Sequence, residues 1–187
     1  AERLGSVVRK TQPEEGGVVT RETCLVCQAS LIDSEFFAKN RVCPVCHFHY
    51  SMTARERIDS LVDPGTFRET NRNVTSVDPL SFSSRVSYKQ RLFRDQRRTG
   101  LTEAVVTGTG TIGGSPVVLI VLDFGFMGGS MGCVVGEKVA LAMEHAAKRK
   151  SPVVAVVTSG GARVQEGVLS LMQMAKTSIA ANLLHSK

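Results

Sequence analysis

Apolar residues recur in the second half of the chain at two spacings, one typical of buried strands and the other of amphipathic helices. β-Branched runs without charge predict strands, whereas apolar residues three or four positions apart predict helices. The predicted order is strand, strand, helix, strand, helix, and a glycine turn between the first two runs predicts a hairpin. The strands are predicted over residues 103–112 and 117–124 and from Val153 onward, and the helices over residues 134–150 and 168–183.

The first half of the chain is more polar and less periodic. A helix is predicted over residues 51–63, ended by Pro64 and Gly65, and residues 78–84 are predicted to form a loop. Residues 1–22 mix charge with glycine and show no period, which predicts a flexible segment. The chain therefore divides into a flexible segment (1–22), a cysteine-rich module (23–50), a basic helical connector (51–101) and an α/β domain (102–187).

Composition indicates a globular protein outside the membrane. The 187 residues are 42% hydrophobic, with a formal net charge of +6, and most of the 17 glycines lie in the α/β domain. No apolar run approaches the roughly 18 residues of a membrane span, and the N-terminal residues lack the apolar core of a secretion signal. A reducing compartment and no membrane partner are therefore expected.

Four of the five cysteines form two close pairs, Cys24 with Cys27 and Cys43 with Cys46, separated by fifteen residues. Two such pairs can converge as a tetrahedron around one Zn²⁺ ion, each pair supplying two ligands from a tight turn. A disulfide framework is the rival explanation, and it fits poorly with a reducing compartment. Because protein ligands fill all four positions, the zinc is expected to be structural. His47 and His49 follow directly and could each replace a cysteine, but the four-cysteine site is simpler, and the histidines are interpreted as neighbours of the loop.

Residues 85–98 hold six basic residues and one acid, with Tyr88 and Phe93 interleaved. This pattern is open to three interpretations: a nucleic-acid-binding helix, a solvated helical face, or a helix that holds the anionic tail of a cofactor.

Glycine turns follow the second and third predicted strands. Neither turn matches a nucleotide-binding loop or a nucleophile elbow, and no acid–base pair of side chains is evident. Backbone chemistry remains, in which peptide N–H groups at the turn over residues 159–162 face a developing oxyanion. The alternative is an ordinary connection between a strand and a helix.

Several motifs in one order carry a resemblance to a known family. The four-cysteine ribbon is followed by MTARERIDSLVDPGTF, FGFMGGSMGCVVGEK and SGGARVQEGVLSLMQMAKTS, and together they resemble the β subunits of bacterial and plastid acetyl-CoA carboxylase carboxyltransferases. The resemblance implies an α/β crotonase-like fold, a spiral of β-β-α units behind the zinc ribbon. It also implies a location in the cytoplasm or plastid stroma.

The resemblance implies a reaction as well. A carboxyl group would pass from carboxybiotin to acetyl-CoA, giving malonyl-CoA for fatty acid synthesis. The backbone at Gly160, Gly161 and Ala162 would supply one oxyanion donor, and a second donor is expected in the part of the family that follows this segment. Three glycines would line the acyl-CoA pocket: Gly128, Gly129 and Gly132. The alternative is that these glycines only let a strand and a helix pack closely.

The implied partners are an α subunit in an α₂β₂ unit, the biotin carboxyl carrier protein and biotin carboxylase. An apolar stripe over residues 168–183 is expected to lie uncovered and to mark either such an interface or the place of a further half of the domain. Two alternatives stay open: nucleic-acid binding through residues 85–98, and a crotonase-type hydratase or hydrolase. The latter needs a carboxylate beside the thioester, and Glu166 is interpreted instead as an acid in the first turn of the last helix.

Overall fold

A four-stranded mixed sheet forms the centre of the structure, which is a computed structural model that describes residues 22–186. The predicted flexible segment over residues 1–22 lies outside the described residues except for Glu22. The strand order is β1-β2-β3-β4, with antiparallel pairing up to β3 and parallel pairing between β3 and β4. The strands are β1 (Arg68–Thr70), β2 (Val105–Ile112), β3 (Ser115–Leu122) and β4 (Val153–Val156).

The predicted hairpin is confirmed. β2 and β3 pair along their whole length, with Ile112 opposite Ser115, so the loop is the two residues Gly113 and Gly114. Both have positive φ, at +56° and +77°, as this tight turn requires. Sequence reasoning did not predict β1, because three residues with polar side chains show no detectable period.

Both faces of the sheet are covered. Thr109 and Val118 point towards α4 (Cys133–Arg149), and α5 (Val168–His185) packs against α4. A side chain at Gly110, one residue further along β2, would instead meet Val62 and Thr66, because successive residues of a strand face opposite sides. The predicted order of strands and helices in this domain is confirmed.

Two capped helices precede the sheet's long strands. α2 (Ala54–Leu61) and α3 (Tyr88–Thr99) each begin with a capping box, formed by Thr53 with Glu56 and by Ser87 with Gln90. The predicted helix over 51–63 is therefore shorter at both ends, since Thr53 fixes its start and Val62 is already extended.

The cysteine module has a small core of its own. Its buried residues are separate from the main core, and a short helix, α1 (Glu35–Asn40), lies between the two cysteine pairs. An ion pair between Arg41 and Glu56 joins the module to α2. Within residues 22–186, none of the helices has the length and hydropathy of a membrane span. The module's buried residues are Cys24, Leu31, Phe37 and Cys43.

Candidate active site and metal centre

The four predicted zinc ligands converge. The Sγ atoms of Cys24, Cys27, Cys43 and Cys46 all lie within 4.8 Å of one another. The distances are 3.6 Å between Cys24 and Cys46 and 3.7 Å between Cys27 and Cys43. Zinc–sulfur bonds of about 2.3 Å place tetrahedral sulfurs about 3.8 Å apart, whereas a disulfide is about 2.0 Å long. The four thiols therefore fit a zinc ion.

The surroundings of the thiols also suit a cation. The Cys27 N–H and then the Tyr50 hydroxyl lower the pKa of the Cys24 thiol to about 6. For Cys46 the Phe48 N–H lowers the pKa, but burial and the neighbouring thiols outweigh it and raise the pKa to about 12. Four thiolates this close together need a positive ion to balance them.

The two glycine turns of the α/β domain lie against each other. The first follows β3 over residues 125–132, and the second follows β4 over residues 158–162. Three backbone hydrogen bonds of 2.8 Å join them: Gly160 N to Gly128 O, Met131 N to Gly161 O, and Arg163 N to Met131 O. Met131 and Ala162 thereby form a parallel β-bridge.

The glycines of the first turn differ in the space around them. A side chain at Gly129 would lie 2.2 Å from the Thr158 carbonyl oxygen, and one at Gly132 would lie 2.8 Å from Glu166 Oε1. A side chain at Gly128 would meet nothing within 4 Å. Close packing against the second turn therefore accounts for Gly129, and close packing against the side chains of Glu166 and Arg163 accounts for Gly132. A part for these glycines in an acyl-CoA pocket stays a prediction.

The three predicted oxyanion donors are not equivalent. The Gly160 N–H is already bonded to Gly128, and the Gly161 N–H lies 3.1 Å from the Ser159 hydroxyl. The Ala162 N–H has no hydrogen-bond partner within residues 22–186. A β-bridge of this kind uses the backbone groups on either side of Ala162, so its own N–H points away from the first turn.

A cavity of about 260 Å³ lies beside the second turn, and Gly160 and Ala162 form part of its wall. Helix α3 supplies Arg91, Arg94 and Asp95 to the same cavity. The Nε of Arg91 is buried and has no partner in the part of the chain that the structure describes. Five further residues complete the wall: Met127, Ser130, Arg163, Val164 and Gln165.

A buried ion cluster lies behind the turns: Glu103, Lys138, Arg163 and Glu166, each no more than 1% exposed. Arg163 pairs with Glu103 at 2.6 Å and lies 3.5 Å from Glu166. Burial alone lowers the pKa of Arg163, but the Glu103 carboxylate raises it above its usual range. Burial also lowers the pKa of Lys138, an effect that Glu103 opposes.

The interpretation of Glu166 needs correction. Glu166 lies in a short 3₁₀ turn before α5, and its Oε2 accepts the Cys133 N–H, at 2.5 Å, in the first turn of α4. It also accepts the Tyr88 hydroxyl at 2.5 Å. Burial raises the pKa of Glu166, but these bonds from Cys133 and Tyr88 and the Arg163 charge hold it below its usual range. Glu166 is thus an anionic partner for α4 and does not line the cavity.

The residues 49–187 match the family model described as "Carboxyl transferase domain". The chain belongs to the carboxyl transferase domain family. The acetyl-coenzyme A carboxylase carboxyl transferase subunit beta of Desulforamulus reducens is 49% identical over 157 residues, covering 84% of this chain and 54% of that protein. The chloroplastic subunit beta of Chlorella vulgaris is 48% identical over 167 residues, 89% of this chain and 40% of that protein.

This carboxyl transferase chain spans about half the length of the curated relatives it matches. The resemblance inferred from the motifs is confirmed. Neither the nucleic-acid-binding nor the hydratase interpretation is favoured by these relatives.

Solved structures give the same fold. Transcarboxylase 12S, with methylmalonyl-coenzyme A and methylmalonic acid bound, has a TM-score of 0.57 and 36% identity, covering 70% of this chain and 23% of that one. The MdcD–MdcE heterodimer of Pseudomonas malonate decarboxylase has a TM-score of 0.52 and 28% identity, covering 71% of this chain and 47% of that one. A carboxyl transferase fold around a mixed sheet is confirmed, and the complete spiral of β-β-α units stays a prediction.

Sequence reasoning missed the buried ion cluster entirely. Glu103 and Arg163 are 60 positions apart, and no local spacing links them. The one available signal is that each charged residue adjoins a different predicted strand. Glu103 lies at the start of one strand and Arg163 follows the turn after another, which by itself does not identify them as partners.

Proposed function

We propose that the protein is the β subunit of an acetyl-CoA carboxylase carboxyltransferase, which moves a carboxyl group from carboxybiotin to acetyl-CoA and forms malonyl-CoA. The observation that carries this proposal is the Ala162 N–H, which has no partner among residues 22–186 and lies on the wall of a basic cavity. Family membership supports the same reaction class.

Transfer of a carboxyl group to acetyl-CoA requires negative charge on the thioester oxygen. A peptide N–H held in a fixed turn stabilises such an oxyanion, and removing one donor typically costs about 3–4 kcal/mol of transition-state stabilisation. Ala162 is the best placed of the three predicted donors, because the Gly160 N–H is already bonded within the structure. Gly161 remains an alternative, since its partner is an exposed serine side chain. Carboxybiotin supplies the carboxyl group as a substrate on its carrier protein.

Helix α3 suits the charged end of coenzyme A. Arg91 has no ion pair within the described residues, and its guanidinium lies in the same cavity as Ala162. Arg94 is mostly exposed and has only a 3.3 Å contact with Asp95. Arg91 and the exposed part of Arg94 can thus meet phosphate groups, which favours the cofactor-tail interpretation of residues 85–98 over a purely solvated face.

The zinc ribbon and the partners complete the proposal. One structural zinc ion would be held by the four cysteines named above. An α subunit, a biotin carboxyl carrier protein and a biotin carboxylase would be the partners. The exposed apolar face of α5 supports a contact with the α subunit, since Val168, Met172 and Ile179 are 66%, 60% and 71% exposed.

The test is an assay of malonyl-CoA formation by the full-length protein with carboxybiotin, with and without its α partner. We expect product only when both subunits are present, and faster transfer to acetyl-CoA than to propionyl-CoA. Absence of malonyl-CoA from the assembled complex would contradict the proposed reaction. A preference for propionyl-CoA would leave the reaction class intact and correct the substrate.

A further inference from the structure

Arg163 directly follows Ala162, and its side chain is wholly buried. Its guanidinium donates hydrogen bonds to groups that come from four separate segments of the chain. Two of these segments are the first glycine turn and the residues just before β2. The acceptors are Ser130 Oγ at 3.1 Å and Ser130 O at 3.0 Å, Glu103 Oε1 at 2.6 Å and Oε2 at 2.9 Å, Tyr88 OH at 3.0 Å and Ser76 Oγ at 3.4 Å.

The pairing with Glu103 is bidentate. Nη2 donates to one carboxylate oxygen and Nη1 to the other, an arrangement that fits a planar guanidinium and not a lysine ammonium. The buried ion cluster also balances its charge, with Arg163 and Lys138 against Glu103 and Glu166. Removal of ions from water is costly, so a cluster this deep contributes little net stability. Its value lies in the geometry that it imposes.

That geometry concerns the two glycine turns. Arg163 N donates to Met131 O, and the Arg163 side chain donates to both the hydroxyl and the carbonyl oxygen of Ser130. One residue therefore fixes the second turn to the first by backbone and side chain together. Ala162 lies between this attachment and the Gly160–Gly128 hydrogen bond.

We propose that Arg163, held by Glu103, is a positioning residue that keeps the Ala162 N–H at the cavity wall, facing the thioester oxygen. This inference rests on the proposed function. Arg163 is not expected to touch substrate, because its guanidinium is already hydrogen-bonded to groups of the protein. It acts through the turn that it anchors.

The test compares Arg163→Lys with Arg149→Lys in the full-length protein assembled with its partner subunit. At Arg163, lysine keeps the charge but loses the fork and most contacts to Ser130, whereas Arg149→Lys makes the same exchange at an exposed residue at the end of α4. For Arg163→Lys we expect kcat for malonyl-CoA formation to fall about 10²-fold, as for an ångström-scale misplacement. The KM for acetyl-CoA should change less than about twofold, since the misplaced donor acts mainly in the transition state. Arg149→Lys should stay near the parent rate.

A second measurement does not depend on catalysis. Hydrogen–deuterium exchange of the peptide that spans residues 157–163 should become at least about tenfold faster in Arg163→Lys, and exchange in α4 should stay unchanged. If the parent makes no malonyl-CoA but this exchange still rises selectively, the proposed function is wrong and the anchoring by Arg163 stands. Unchanged exchange in the folded variant, or an altered KM with an unaltered kcat, would overturn the positioning role.

Discussion

The backbone at Gly161 gives the second turn its shape. Its φ of +106° lies in a region that residues with side chains rarely adopt, although a side chain there would meet nothing within 4 Å. Glycine is therefore required at this position by backbone conformation and not by crowding. The residue immediately before the proposed donor thus determines where the Ala162 N–H points.

Gly161→Val should abolish carboxyl transfer. A β-branched residue in this conformation adds about 1–3 kcal/mol of backbone strain to the folded protein. The short turn relieves this strain by moving. Ala162→Ser should matter little, because the donor is the peptide. Initial rates of malonyl-CoA formation, with zinc content and subunit assembly measured alongside, check both expectations.

Gly65→Val provides the matched control, since Gly65 has a φ of +75° and open space around it but lies far from the turns. The Gly65→Val variant should have backbone strain comparable to that of Gly161→Val and keep its activity. A Gly161→Val protein that assembles and works at the parent rate would remove the second turn from the mechanism.

The neighbouring glycines Gly128 and Gly129 allow packing to be separated from backbone strain. Their φ values are nearly equal, at +67° and +64°, so alanine at either position costs about 1–2 kcal/mol in conformation. Only at Gly129 does the new methyl group collide with the Thr158 carbonyl. Gly129→Ala should therefore destabilise the protein by a further 1–3 kcal/mol or so. Thermal or urea unfolding of the two variants tests this, and equal losses would show that the turns are not tightly packed.

Among the elements, the cysteine module stands apart from the sheet. Its aromatic residues pack on one another, with Tyr50 in edge-to-face contact with Phe37 at 5.3 Å and with Phe48 at 4.9 Å. Tyr50 also donates to Cys24 Sγ at 3.3 Å. A core this small needs a metal to be stable.

Cys43→Ser should therefore lose zinc and unfold the module while the sheet domain keeps its secondary structure. Elemental analysis should give one zinc ion per parent chain and much less for the variant, and near-ultraviolet circular dichroism should show loss of the Tyr50 signal. Cys133→Ser is the control, because Cys133 lies in α4 and should not affect zinc content. Parent protein without metal, or with paired disulfides, would contradict the zinc site.

The elements differ in how far the sequence predicts them, for physical reasons. Periodic segments such as β3 and α4 are evident because their own residues carry the pattern. The two cysteine pairs are equally evident, since ligand spacing is local. β1 and α1 are too short to show a period. The pairing of Glu103 with Arg163, and the attachment of Glu166 to a helix other than its own, depend on tertiary contacts that no local pattern encodes.

In the molecule as a whole, positive charge and apolar surface lie in different places. The basic residues of α3 border the cavity beside Ala162, and at a net charge of +6 they favour the approach of an anionic substrate. α5 instead turns Ser170, Gln173 and Ala180 inward and leaves most of its large apolar residues exposed. Small side chains and Gly136 allow α5 to lie close to α4, since a side chain at Gly136 would lie 2.4 Å from Gln173 Oε1. Among the described residues, nothing covers the apolar stripe predicted over residues 168–183.

Ile179→Glu should separate assembly from folding. Ile179 is 71% exposed, so a charge there stays hydrated and the free energy of unfolding should change by less than about 0.5 kcal/mol. At an apolar interface the same charge would be desolvated without a partner, which weakens association strongly. Light scattering of the full-length chain mixed with its α subunit should show the α₂β₂ mass for the parent and free subunits for the variant.

Val77→Glu, at a residue that is 72% exposed but lies in the connector, should assemble normally. Normal assembly of Ile179→Glu would instead place the subunit contact elsewhere, since an interface that buried this face would not tolerate an unpaired carboxylate.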